Sequence, residues 1–207
     1  MRRIIAVLFG VFLITTAAIS APHEVIIIRH ADKWDQSNPG PYLSPKGQLR
    51  AEKFVAYYLS HYQKPDFIFA SNPAVSGDVA QGGFSYRPLQ TVMPLANQLA
   101  YQNSSGYFVN AVFHNHQYAA LAKTLLQDKQ YRGKTILICW HHGLANDLAH
   151  ALGVTEKLSK WKGKIFDRVY VLTYDDHGKL FTFRQLENQY PVSSNPTWEN
   201  LASTRQG

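Results

Sequence analysis

Glu24-Val25-Ile26-Ile27-Ile28-Arg29-His30 is the stretch on which the fold turns. Val25 to Ile28 is a β-branched run with no polar alternation, which predicts a strand covered on both faces. Thr135-Ile136-Leu137-Ile138-Cys139-Trp140 repeats the pattern and runs into His141-His142. Between them, Ser44 as N-cap and Pro45 at the first helical position start a helix, with Leu49, Phe54, Ala56, Tyr57 and Leu59 as its apolar face to about His61. Asp66 to Ala70 reads as a short strand ending at Ser71-Asn72-Pro73, and residues 74–86, rich in Gly and Ser, read as a surface loop. Leu89 to Leu99 predicts a helix kinked at Pro94. Residues 101–116 carry no readable pattern, and Tyr118 to Leu126 is helical again. His150-Ala151-Leu152-Gly153 closes a helix on a glycine, and Arg168 to Tyr174 with Lys179 to Gln185 form a hairpin turning at Asp176-His177-Gly178. Strands alternating with helices, without repeat or linker, predict one α/β domain over residues 21–207.

The 207 residues are 45% hydrophobic and 17% charged, enough apolar chain to exclude disorder and to bury one core. The single Cys excludes a disulfide-stapled scaffold and a Cys-rich metal cage. Twenty-one Lys+Arg against 14 Asp+Glu give a formal charge of +7, which favours anionic partners without choosing among phosphate esters, nucleic acid and lipid. Met1-Arg2-Arg3, the uncharged run Ile4 to Ile19 and the small residues up to Ser20 have the layout of a signal peptide over residues 1–20. Cleavage after Ser20 is expected, because cleavage after Ala21 would leave Pro22 at the next position. The run is shorter than the roughly 20 residues that span a bilayer, so an exported, periplasmic or secreted protein without stable membrane insertion is expected. Loss of Arg2 and Arg3 lowers the formal charge from +7 to +5.

Ligands of open α/β sheets bind beyond the carboxyl ends of the strands. Both strongly apolar strands end there in basic or titratable groups, Arg29-His30 and His141-His142, and Arg87 opens the helix that follows the third strand and its loop.

These residues carry a resemblance. Arg29-His30-Ala31-Asp32-Lys33 resembles the Arg-His-Gly/Ala signature of the histidine phosphatase (phosphoglycerate mutase-like) superfamily. The likeness continues in order through Leu43-Ser44-Pro45-Lys46-Gly47-Gln48-Leu49-Arg50-Ala51, Ala70-Ser71-Asn72-Pro73 and Arg87-Pro88-Leu89-Gln90-Thr91, the last resembling the family's Arg-x-x-Gln-Thr helix start. It ends with the strand before His141-His142 and with Phe166-Asp167-Arg168-Val169. The resemblance implies a three-layer sandwich, a mostly parallel sheet flanked by helices, and a metal-independent, cofactor-free phosphatase acting on a small phosphorylated substrate. His30 would attack phosphorus and form a phosphohistidine that water hydrolyses. Arg29 and Arg87 would clamp the phosphoryl oxygens with guanidinium forks, and Ser71 could support them. For the second His, counting along the strand implies His141. The run Cys139-Trp140-His141-His142 more closely resembles a subgroup reading Cys-Trp-Glu-His and favours His142.

The proton donor to the leaving group is the departure from the family pattern. Many members use a Glu downstream of the Gln-Thr helix start, yet residues 92–118 contain no Asp or Glu, which leaves Asp32 and His141 as candidates. The gap also keeps open a catalytically weak or silent member that binds a phosphorylated ligand. His114-Asn115-His116 has a chelating spacing but no local carboxylate or Cys, so it reads as exposed loop histidines or pocket mouth, with no metal site expected. Cys139 lacks the Arg six residues on that thiol phosphatase chemistry needs, since that position is Ala145, and reads as a buried strand residue. Tyr57, Tyr58, Phe67, Phe69, Phe108 and Phe113 read as core and pocket wall rather than a nucleic-acid surface, because no Lys/Arg stripe accompanies them. Substrate selectivity is expected from the loop Val75 to Tyr86 and from residues 101–118.

Overall fold

Strand β1 (Glu24–Arg29) lies inside a six-stranded sheet and pairs on both edges. The structure, a computed structural model, describes residues 21–34, 40–75, 84–103, 107–190 and 192. The segment read as a signal peptide and most of the 74–86 loop lie outside the described residues. On one side β1 runs parallel to β4 (Thr135–Trp140), in the register Glu24 with Thr135 through Arg29 with Trp140. On the other it runs antiparallel to β5 (Val169–Tyr174), which forms the expected hairpin with β6 (Leu180–Leu186). Parallel to β4 lies β2 (Phe67–Ala70), and β2 pairs with the two-residue edge strand β3 (Val109–Asn110), giving the order β3-β2-β4-β1-β5-β6. The sheet is therefore parallel except for the late hairpin.

Alternation along the fully buried strands builds two cores. Val25, Ile27, Ile136, Ile138 and Trp140 pack under helices α3 (Tyr118–Gln127) and α4 (Ala145–Ala151), through Leu121, Leu125 and Leu148. Ile26, Ile28, Leu137 and Cys139 pack under α1 (Pro45–His61) and α2 (Arg87–Asn103), through Phe54, Tyr58, Val92 and Leu99. Helix, sheet and helix make the three layers expected from the resemblance. Among the described residues no helix is long and apolar enough to cross a membrane.

Helix α1 begins as the sequence predicts, Ser44 Oγ accepting from the Gly47 N–H at 3.1 Å with Pro45 at the first position. Its buried face differs from the expected one. Gly47, Arg50, Ala51, Phe54 and Tyr58 turn inward, whereas Ala56 is exposed and Leu49 and Leu59 are only partly covered. The cause is close approach: a Cβ on Gly47 would collide with the Asp32 carbonyl, so the helix lays its glycine on the chain leaving β1. That rotation brings Arg50 into the interior, where Nε and Nη2 donate to the two carboxylate oxygens of Asp32 and Nη1 donates to the Tyr190 carbonyl at 2.9 Å. Helix α2 starts at Arg87, two residues before the expected start, and runs through Pro94 to Asn103. Phe108 is 85% exposed and belongs to no core, whereas Tyr58 and Phe69 are buried as expected. Gly153 and Gly178 sit at φ +111° and +73°, which explains glycine at the α4 end and at the hairpin turn.

The Arg50 pair is buried, with side-chain exposures of 6% and 10%, so removing one partner strands a charge. Arg50→Leu is expected to lower the free energy of unfolding by about 3 kcal/mol in urea titration. A change below about 1 kcal/mol would show that the pair does not hold α1 to the β1 end.

Candidate active site

The β1 ladder continues one residue past Arg29, with the His30 N–H donating to the Trp140 carbonyl at 3.4 Å. The His30 ring is buried, and Nδ1 lies 2.8 Å from the Ala31 carbonyl. A carbonyl can only accept, so Nδ1 carries the ring proton and the lone pair is on Nε2. Burial holds the His30 pKa well below its ordinary value, and the charges of Arg29 and Arg87 push the same way. The hydrogen bond to Ala31 opposes them, and His141 adds a smaller lowering. His30 is thus a neutral imidazole of fixed tautomer among cations, which is the nucleophilic form.

Arg29 is buried beneath a strap of chain that precedes β5. Its Nη1 donates to the carbonyls of Gly163 and Ile165 at 2.7 and 2.8 Å, and its guanidinium carbon lies 3.9 Å from the centre of the Phe166 ring. Burial pulls its pKa down to about 9, offset in part by Asp32, and its Nε is buried without a hydrogen-bond partner among the described residues. Arg87, the first residue of α2, donates through Nη1 to the Gly40 carbonyl at 3.0 Å. Its charge lowers the pKa of both Arg29 and His30.

The polar residues of the α2 start have roles that sequence reasoning missed. Thr91 Oγ1 accepts from the Ala31 N–H at 2.9 Å and donates to the Arg87 carbonyl at 2.7 Å, tying the His30 loop to the Arg87 turn. Gln90 Oε1 accepts from the Leu43 N–H at 2.9 Å. The signal was present in the pair Gln90-Thr91 at a helix start, but its partners are distant in sequence. The same is true of Phe166, and of the two strap carbonyls no side-chain signal exists.

Register separates the two neighbouring histidines. Arg29 pairs with Trp140, so His30 is level with His141, and the two rings are 6.3 Å apart. The Gly143 N–H donates to His141 Nδ1 at 3.2 Å, so the neutral ring carries its proton on Nε2. His142, favoured by the closer resemblance, has its ring 4.4 Å from that of His141 and lies against Gly163 of the strap, where a glycine Cβ would lie 3.6 Å from its Nε2. Burial first, then Arg29, His141, Lys33 and Lys160, hold its pKa down to about 3.

The remaining candidates are not brought into this group. Asp32, one of the two candidate proton donors, has both carboxylate oxygens on Arg50, and its carbonyl accepts from the Ser44 N–H at 3.0 Å and from Ser44 Oγ at 3.2 Å. Ser71 continues β2, its N–H donating to the Cys139 carbonyl at 3.2 Å. It is thus level with Trp140 and two strand spacings, about 10 Å, from the Arg29 backbone. Its buried hydroxyl has no hydrogen-bond partner among the described residues. His114 is half-buried rather than exposed, with its ring 6.5 Å from that of the exposed His116. Among the described residues no three His, Cys, Asp or Glu gather as a metal site. Cys139 is fully buried and burial pushes its thiol pKa up, the environment of an inert strand residue.

No family model matches the chain, and no curated protein matches it by sequence. Solved structures do. The protein histidine phosphatase SixA complexed with tungstate superposes with a TM-score of 0.52 at 15% identity, over 79% of this chain and 96% of that one. A phosphoglycerate mutase from Plasmodium falciparum scores 0.49 at 13% identity over 84% of this chain and 97% of its own. A mycobacterial glucosyl-3-phosphoglycerate phosphatase with inorganic phosphate scores 0.48 at 12% over 79% and 95%. With six strands in this order, helices on both faces and that likeness to SixA, the fold of this chain is the fold of the histidine phosphatase superfamily.

Proposed function

We propose that the chain is an exported, metal-independent phosphatase that hydrolyses phosphomonoesters through a phosphohistidine on His30. The observation that carries this reading is the His30 ring, buried, neutral and pinned through Nδ1, with two guanidiniums around it. Nε2 attacks phosphorus as the bond to the leaving oxygen breaks. Water then attacks the phosphohistidine, releasing inorganic phosphate and restoring the imidazole. Arg29 and Arg87 hold the equatorial oxygens, and the unpartnered Nε of buried Arg29 is the kind of donor a phosphoryl oxygen satisfies. His141, level with His30, supplies Nε2–H to a phosphoryl oxygen or the leaving group.

One observation favours a second reading. With Asp32 spent on Arg50 and no Asp or Glu in residues 92–118, the pocket could bind a phosphorylated ligand without turning it over. Residues 21–207 assayed with p-nitrophenyl phosphate in EDTA separate the two. Turnover that His30→Ala abolishes is expected, whereas tight phosphate binding without turnover would support the binder, and a need for added zinc would defeat both.

Three further results are expected. His141→Ala lowers kcat about 100-fold, as loss of one transition-state donor does, and His142→Ala lowers it less than tenfold. The reverse order would make His142 the catalytic residue, as the closer resemblance favours. Protonation of His30 stops attack, and its pKa lies below the ordinary 6.5, so activity holds as pH falls through 6.5 and is lost only at lower pH. After correction for ionisation of the substrate, an acid limb centred at 6.5 or higher would contradict the buried neutral ring. Finally, N-terminal sequencing of exported protein is expected to begin at Ala21, and retention of Met1 would refute cleavage.

A further inference from the structure

An exposed group of aromatic side chains stands on the loops that carry His30 and Arg87, and the proposed mechanism does not use it. Tyr42 and Tyr86 stack with ring centroids 5.5 Å apart and planes within 12°, yet are 52% and 38% exposed. The Lys33–Leu43 antiparallel bridge sets Trp34, 39% exposed, level with Tyr42. These rings belong to the pocket's own loops. Trp34 is four residues past His30, and Tyr86 immediately precedes Arg87. The Tyr86 N–H donates to the Pro41 carbonyl at 2.9 Å while Arg87 holds the adjacent Gly40 carbonyl at 3.0 Å, which fixes the stack beside the guanidinium. Exposed aromatics at such a position offer planar faces to a ligand whose phosphate lies on the arginines.

A second, independent observation concerns the leaving group. Among the described residues the carboxylates of Asp32 and Asp167 both lie against Arg50, and residues 92–118, where many members of the resembling family place their acid, contain no Asp or Glu, so neither source supplies the carboxylic acid expected from the resemblance. An alkoxide, whose conjugate acid has a pKa near that of water, about 16, departs poorly without such help. A phenoxide, about 10, departs far more readily.

We infer that the substrates are aryl phosphates, phosphate esters of a phenol, whose ring lies against the Trp34–Tyr42–Tyr86 group while the phosphoryl group sits between Arg29 and Arg87. This rests on the phosphatase reading above. In the step implied, the His30 Nε2–P bond forms as the P–O(aryl) bond breaks. The phenoxide leaves with the bonding pair and takes its proton from His141 or water.

The test is a kcat/KM series with phenyl phosphate, methyl phosphate and acetyl phosphate, the last having a good leaving group but no ring. Phenyl phosphate is expected to exceed methyl phosphate by at least about 100-fold. Trp34→Ala and Tyr42→Ala are each expected to lower the phenyl-to-acetyl ratio about tenfold through KM, while Phe181→Ala, an exposed aromatic on β6, leaves it unchanged. Methyl phosphate cleaved as fast as phenyl phosphate, or a ratio unmoved in both variants, overturns the inference and leaves the phosphatase reading intact. Failure of all three substrates, with no phosphorylation of His30, sinks that reading and the inference together.

Discussion

The parallel pairing of β1 with β4 is the constraint on which the rest of the site depends. Six consecutive pairs, Glu24 with Thr135 through Arg29 with Trp140, bring the ends of two fully buried strands to the same level. Arg29 cannot be solvated there, and burying a guanidinium is costly unless its donors are met. The strap meets them in part, with two carbonyls on Nη1 and the Phe166 ring against the guanidinium face, while Nε is left without a partner among the described residues. The strap in turn positions Gly163 against His142. A register slip of one residue would exchange the two cores and separate His30 from His141 together.

That placement sets a balance of charge. The charges of Arg29 and Arg87 act on the His30 imidazole, whose pKa burial already holds down, so the local field favours an anion and disfavours a second proton on that ring. Burial is the main cause of the lowered Arg29 pKa and the charge of Arg87 lowers it further, a repulsion that an anion between the two charges would relieve. The preference of the whole chain for anionic partners thereby acquires a local address.

How far the sequence is readable depends on where each signal originates. The ends of β4 are legible to the residue, because strands buried on both faces write their environment into uninterrupted apolar runs, and the Ser44-Pro45 cap is a local device. The inward face of α1 departs from its apolar pattern because it includes a charged residue: Arg50 is inside only because Asp32, from a different element, is there to meet it. His141 and His142 are adjacent in sequence and alike in chemistry, so only the β1–β4 register tells them apart. Residues 101–116 show no pattern because only Val109 and Asn110 pair with the sheet. The aromatic group is invisible for the same reason, since Trp34, Tyr42 and Tyr86 come from loops joined by one bridge and one stack.

Asp32, two residues past His30, serves the electrostatics of Arg29 while its oxygens are bound elsewhere. Its charge reaches Arg29, stabilising the guanidinium that burial destabilises. A carboxylate so placed, if left unpaired, would compete with a phosphoryl group for the same donors. Arg50 removes that competition by taking both carboxylate oxygens from the α1 side, and it also lies 3.8 Å from the Asp167 carboxylate. The fold therefore keeps the electrostatic benefit of Asp32 to the buried arginine while its hydrogen-bonding capacity is spent elsewhere.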